Sequence, residues 1–142
     1  MKLLHFGFKV HDIERTTQAY RELFGLEWEP VKEYALPPRE GEVRESRTKV
    51  SHAWTDDGVE IEMVQQVEGT AVDQAVLGER EGMSHIAFAV DDLAAEKAKA
   101  EAKGLKIIHE GTAPRASWFF IHDDRLGGAL IQMVQLHEQP AA

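Results

Sequence analysis

Apolar and polar residues alternate over residues 3–10, LLHFGFKV, with Phe6, Phe8 and Val10 on one side and His5, Gly7 and Lys9 on the other. A period of two is the mark of a half-buried strand. His11-Asp12 closes that strand, and Asp12 is placed to cap a helix over 13–24, with Ile13, Thr17, Tyr20 and Phe24 on one face and Gly25 as its stop. Strand-like runs follow near 27–35, 43–55 and 58–67. Pro37-Pro38 and Gly41 mark the loop between the first two, and Asp56-Asp57-Gly58 is a hairpin turn signal. The pattern then starts again. A strand over 84–90 leads to a helix over 93–103, capped by Asp91 or Asp92 and ended by Gly104, and strands follow near 106–111, 117–122 and 128–136. The stretch between, 69–82, reads as a linker with room for a short helix over 71–79, and Gln139 to Ala142 read as a frayed end.

The recurrence extends to residue identities. At an offset of 80, HFGFKVHDI matches HIAFAVDDL, with His5/His85, Phe8/Phe88, Val10/Val90 and Asp12/Asp92 identical. At an offset of 70, GVEIEMVQ matches GALIQMVQ, with Gly58/Gly128, Ile61/Ile131, Met63/Met133, Val64/Val134 and Gln65/Gln135 identical, and His52 and His122 fall at the same offset. Two matches in the same order indicate a duplicated βαβββ unit. The first module covers 1–68 and the second 83–138, together one domain over 1–138. One such unit cannot close on itself. The fold expected is therefore α+β: two modules edge to edge in a cupped, eight-stranded mixed sheet, with helices outside and the ligand site on the concave side.

Strand parity selects the residues that face this cup. Ile61, Met63, Ile131 and Met133 pack outward with the strand-one and strand-five apolar residues. His5 and His85, and Glu62 and Gln132, then point inward at repeat-related positions. Four polar residues on one inner face would be costly without a partner. Two imidazoles, a carboxylate and an amide oxygen suit one divalent cation of the Mn, Fe, Co, Ni or Zn type.

Composition narrows the field further. The formal charge of −9 disfavours nucleic acid as a partner. Cysteine is absent, which removes disulfides, thiol nucleophiles and zinc–thiolate sites. No apolar run reaches the ~20 residues of a membrane span, and MKLLHFGFKV does not read as a signal peptide, so the expected location is the cytoplasm.

Several stretches, HFGFKVHDIERTTQAYRELFGLEW, IEMVQQ, HIAFAVDDLAAEKAKAEAKGLKII and FIHDDRLGGALIQMVQ, resemble the vicinal-oxygen-chelate superfamily of glyoxalase I, methylmalonyl-CoA epimerase, ring-cleaving dioxygenases and bleomycin-resistance proteins. The likeness spans nearly the whole chain and is greatest to the epimerase and its glyoxalase-like neighbours. It implies metal ligands at His5, Glu62, His85 and Gln132, a homodimer, and a small substrate with two chelating oxygens, an acyl-CoA among the candidates. It also implies a catalytic base at Glu45, within RESRTKVSH, against which stands the reading of an exposed acid between Arg44 and Arg47. One departure stands out: the epimerase carries its amide in the first half and its carboxylate in the second, whereas Glu62 and Gln132 have the reverse order. His52 and Trp54, on the strand face opposite to Glu45, are expected to pack or hydrogen-bond. Arg115 and Trp118 are candidates for the cavity border.

The function implied is a metal-dependent isomerase or epimerase that stabilises an enediolate and moves a proton α to a carbonyl, with Glu62 and Glu45 as proton carriers. Three alternatives stay open. They are an Fe(II) ring-cleaving dioxygenase with His5, His85 and Glu62 as a facial triad, a glyoxalase I-like lyase, and a non-enzymatic small-molecule-binding protein.

Overall fold

The computed structural model of the protein describes residues 1–38 and 42–138, so the expectations for Gly41 and for Gln139 to Ala142 lie outside the described residues. The elements are β1 (Lys2–Lys9), α1 (Ile13–Phe24), β2 (Lys32–Leu36), β3 (Ser46–Trp54), β4 (Glu60–Glu68), α2 (Gln74–Leu77), β5 (Gly82–Ala89), α3 (Leu93–Ala102), β6 (Lys106–Ala113), β7 (Ala116–His122) and β8 (Leu130–Leu136), with a 3-10 turn over Asp124–Leu126 before β8. The fold is α+β, and its eight strands are hydrogen-bonded in the order β2-β3-β4-β1-β5-β8-β7-β6. The sheet is mixed: β1 runs parallel to β4 and β5 parallel to β8, while the β2–β3, β3–β4, β6–β7 and β7–β8 pairs are antiparallel. No helix among the described residues is long and apolar enough to cross a membrane.

The chain divides into two compact units, one of residues 5–84 and the other of residues 1–4 with 85–142. In the unit of residues 5–84, Val10, Ile13, Trp28, Ala53 and Met63 form the buried core, with Phe8, Tyr20 and Ile61 packed against it. Of these, Phe8, Val10, Ile61 and Met63 are residues that strand parity assigns to the helix side. Asp12 caps α1 by accepting the Arg15 N–H at 3.1 Å, and Gly25 ends the helix with φ 69°. The Gln65 side chain reaches from β4 to accept the N–H of Ile13 at 3.0 Å, and Val10 N–H donates to the Val64 carbonyl at 2.9 Å.

The other unit repeats these devices with the matching residues. Asp92 caps α3 through the Ala95 N–H at 3.0 Å, Gln135 accepts the Leu93 N–H at 2.8 Å, and Val90 N–H donates to the Val134 carbonyl at 2.8 Å. Its core is Ala100, Phe119 and Ile121, with Leu93, Leu105, Ile107, Ile131 and Met133 against it. Much of the sequence repeat is thereby accounted for. The recurring Asp, Val and Gln residues fix the start of each helix to its strands, and each helix cap is worth on the order of 1 kcal/mol.

Three expectations need correction. The run 27–35 is a strand only over Lys32–Leu36. Pro30 has no N–H for a ladder, and Trp28 instead turns into the core at 8% exposure. Phe24 does not share the buried face of α1, being 74% exposed at the helix end, although Tyr20 meets both Phe24 and Trp28 at ring separations of 5.9 Å. The linker helix is a single turn, Gln74–Leu77, held beneath β1 by the Lys9 ammonium, which donates to the Gly78 carbonyl at 2.5 Å.

Candidate functional site

Each unit carries half of the four expected ligands. In the unit of residues 5–84, parallel pairing sets His5 beside Glu60 and Gly7 beside Glu62, so His5, Glu60 and Glu62 share one sheet face. Antiparallel pairing sets His52 opposite Glu62 and Trp54 opposite Glu60 on that same face. Gly7 presents no side chain between His5 and Lys9. The result is a compact polar group. His5 Nε2 stands 3.7 Å from Glu62 Oε1, and His52 Nε2 donates to Glu62 Oε2 at 2.9 Å. His52 Nε2 is also 3.7 Å from Glu60 Oε1, and its Nδ1 is 3.9 Å from Glu29 Oε2.

Burial and the neighbouring carboxylates together set the charge in this group. Desolvation acts to lower the His52 pKa, but the hydrogen bond to Glu62 and the charges of Glu62, Glu60 and Glu29 outweigh it and raise the ring above its ordinary value. For Glu60, burial raises the carboxyl pKa, with repulsion from Glu62 and Glu29 adding to the shift and His52 opposing it.

In the other unit, parallel pairing sets His85 beside Leu130 and Ala87 beside Gln132, and β7 places Phe120 opposite Gln132. His85 is 4% exposed and meets the Phe120 ring edge-on, with centroids 5.4 Å apart and planes at 89°. Phe120 also lies 5.9 Å from the His109 ring. Gln132 is buried, and its Oε1 accepts no hydrogen bond among the described residues. A buried amide oxygen without a donor forfeits its hydration, which costs about 1–3 kcal/mol. A cation at that oxygen would remove the penalty. An amide oxygen, like the imidazoles and carboxylate expected beside it, is a donor type that suits a divalent ion.

The remaining candidates fall into place unevenly. Glu45 is exposed, one residue ahead of β3, and its charge acts on Arg47. The expectation for His52 holds, since it hydrogen-bonds Glu62. Trp118 shares the face of Phe120 and lies across Gly111, where a Cβ would come within 2.4 Å of the indole. Arg115 sits in the β6–β7 turn. Glu29 and Phe120 were not singled out by the sequence. Glu29 reaches His52 because its backbone N–H donates to the His52 carbonyl at 2.8 Å, a pairing with no local signal.

The fold and these residues define a known class. The family model of the Glyoxalase/Bleomycin resistance protein/Dioxygenase superfamily matches residues 4–122, and the chain belongs to that superfamily. Among solved structures, methylmalonyl-CoA epimerase from Mycobacterium tuberculosis is similar at 18% identity and TM-score 0.72, covering 96% of this chain and 89% of that one. The hypothetical protein BH1468 from Bacillus halodurans C-125 is similar at 19% identity and TM-score 0.73, covering 99% and 98%. A variant of Streptomyces coelicolor methylmalonyl-CoA epimerase, in complex with 2-nitronate-propionyl-CoA, is similar at 21% identity and TM-score 0.70, covering 99% of both. At these identities the likeness is one of fold. No curated protein sequence matches the chain.

Proposed function

We propose that this protein is a divalent-metal-dependent enzyme of the epimerase type, moving a proton at a carbon next to a carbonyl. The observation that carries the reading is the buried Oε1 of Gln132, an acceptor without a donor among the described residues that a bound cation would satisfy. His5, Glu62 and His85 have nitrogen and carboxylate atoms that could hold a metal ion. The four residues stand on strands consecutive in the sheet order, β4-β1-β5-β8. One ion per chain is expected, drawn from Mn, Fe, Co, Ni and Zn.

When bound, the ion supplies Lewis acidity toward a carbonyl oxygen. The chain supplies the proton chemistry. Glu62 is our first assignment as proton carrier, and Glu45 the second. Gln132 is neither an acid nor a base near neutral pH and cannot carry the proton. A thioester carrying a neighbouring carboxylate is the substrate class that suits two chelating oxygens, in line with the acyl-CoA bound by the Streptomyces coelicolor epimerase. We expect a homodimer acting in the cytoplasm, and light scattering that gives the 16.0 kDa of one chain would contradict the dimer.

The test is elemental analysis of protein purified without chelator, followed by proton exchange of methylmalonyl-CoA in deuterated water. About one equivalent of metal and metal-dependent deuterium at the α-carbon are expected. Less than about a tenth of an equivalent after reconstitution with Mn, Co, Ni and Zn overturns the proposal.

A second reading has its own observation. His5, His85 and Glu62 are the two-histidine, one-carboxylate set of non-haem Fe(II) oxygenases. Oxygen uptake on a catechol by the Fe(II)-loaded protein, without deuterium exchange, would select it.

A further inference from the structure

The two halves of the repeat differ at one position that bears on their ligands. In the β3–β4 pair, His52 is opposite Glu62, and in the β7–β8 pair Phe120 is opposite Gln132. The offset of 70 matches His52 with His122, but register does not. Five residues, 55–59, join β3 to β4, and seven, 123–129, join β7 to β8. The extra two residues move Phe120 into the place that His52 fills in the first half. The carboxylate therefore faces an imidazole and the amide faces a phenyl ring.

We infer that His52 is the positioning residue for the Glu62 carboxylate, and that this partner fixes which half of the repeat carries the charged ligand. The inference rests on the metal reading above. The Nε2–H of His52 holds Glu62 Oε2 at 2.9 Å and turns Oε1 toward His5 Nε2, 3.7 Å away. The other edge of the ring faces a second carboxylate. Its Nδ1 is 3.9 Å from the Glu29 carboxylate, whose backbone is tied to β3 by Glu29 N–H to the His52 carbonyl at 2.8 Å and by Ser51 Oγ donating to the Glu29 carbonyl at 2.7 Å. A side chain so bracketed orients a ligand carboxylate as partners behind metal ligands do. Phe120 can offer no such hydrogen bond. It packs edge-on against His85 instead, and a carboxylate opposite it would have no donor from that ring. The reversed ligand order relative to the epimerase thus has a local physical cause in this chain.

The test uses Co(II) as probe, with affinity read by chelator competition and coordination read from the visible spectrum of the loaded protein. The wild-type chain is compared with His52→Phe, which places the second half's ring in the first, and with His52→Gln, which keeps an N–H donor. His52→Phe is expected to weaken Co(II) binding roughly ten- to a hundredfold and to change the spectrum. His52→Gln is expected to recover most of the affinity and the wild-type spectrum. If His52→Phe does not fold by circular dichroism, His52→Leu, also without a donor, carries the same expectation. Wild-type affinity and spectrum in the donor-less variant overturn the inference, as does an equal loss in His52→Phe and His52→Gln. A wild-type chain that takes no Co(II) overturns the metal reading first, and this inference with it.

Discussion

The side-chain oxygen of Gln65 lies 3.0 Å from the backbone nitrogen of Ile13, joining the fourth strand to the first turn of α1. The N–H of Ile13 belongs to the first turn of the helix, where backbone donors have no partner within the helix. Ile13 itself is fully buried, so water does not serve as the alternative. Gln135 does the same for Leu93 at 2.8 Å. The glutamine that recurs in both halves is thus a structural residue. It sets the height of each helix against the strands that carry the proposed ligands, because Gln65 is three residues from Glu62 and Gln135 three from Gln132.

Gln65→Leu should therefore destabilise the protein without touching the ligand face. It leaves a buried donor unpaired, at a cost of about 1–3 kcal/mol. Urea unfolding of the metal-free protein should show a lower midpoint with an unchanged slope, and an unaltered midpoint would refute the role assigned to Gln65.

Gly111→Ala should also destabilise. The added Cβ would stand 2.4 Å from the Trp118 ring, directly opposite in the β6–β7 ladder, so the indole or the strand must move. Overpacking of this kind costs about 1–3 kcal/mol. Trp118 fluorescence should shift along with a lowered thermal midpoint, and a variant matching the wild type in both would show that the strand yields freely.

How far the sequence foretold these features depended on whether the cause was local. Asp12 and Gly25 bound α1 through contacts within a turn of the chain, and both ends of the helix fall where the sequence puts them. Parity along β1 and β4 was equally readable, because Phe8, Val10, Ile61 and Met63 all have the same core to fill. The failures share another cause. Trp28 leaves the strand pattern for a core made by residues distant in sequence. Glu29 meets His52 through a backbone pair 23 residues apart (29 to 52). The 3-10 turn after Asp123 adds length to one hairpin alone, and this breaks the apparent equivalence of His52 and His122. For the proposed ligands His5 and Glu62, parity supplied their shared sheet face.

Asp123 gives a prediction in pH. Its carboxylate accepts from the Arg125 side chain at 2.7 Å and from the Arg125 backbone N–H at 2.9 Å, and these hydrogen bonds hold its pKa well below the usual carboxylate range. A depressed folded-state pKa means stability that is present above the unfolded value of about 3.9 and is lost as pH falls through the folded one. Asp123→Ala should thus lower the thermal midpoint at neutral pH. Its deficit should shrink only at strongly acidic pH, below the unfolded value. A deficit constant from neutral to strongly acidic pH would show that the charge of Asp123 is not what caps the turn.

Exchanging the ligands tests the proton carrier and its setting together. Glu62→Gln leaves two imidazoles and two amides, which should retain metal, but removes the carboxylate proposed to carry the proton. Deuterium incorporation should fall on the order of a hundredfold or more, as for a lost general base. Restoring the carboxylate by adding Gln132→Glu returns the ligand order of the epimerase, yet places the new carboxylate opposite Phe120, which offers no hydrogen bond, and leaves His52 opposite an amide. The double variant should accordingly recover little exchange and should bind metal more weakly than the wild type. Adding His52→Phe and Phe120→His moves the partner along with the charge, and the fourfold variant should recover exchange beyond the double one. Metal content is measured in parallel so that a lost ion is not mistaken for a lost base. Wild-type exchange by metal-loaded Glu62→Gln would reduce Glu62 to a ligand and move the search for the base to Glu45. Equal recovery by the double and fourfold variants would instead show that the carboxylate functions without its imidazole partner.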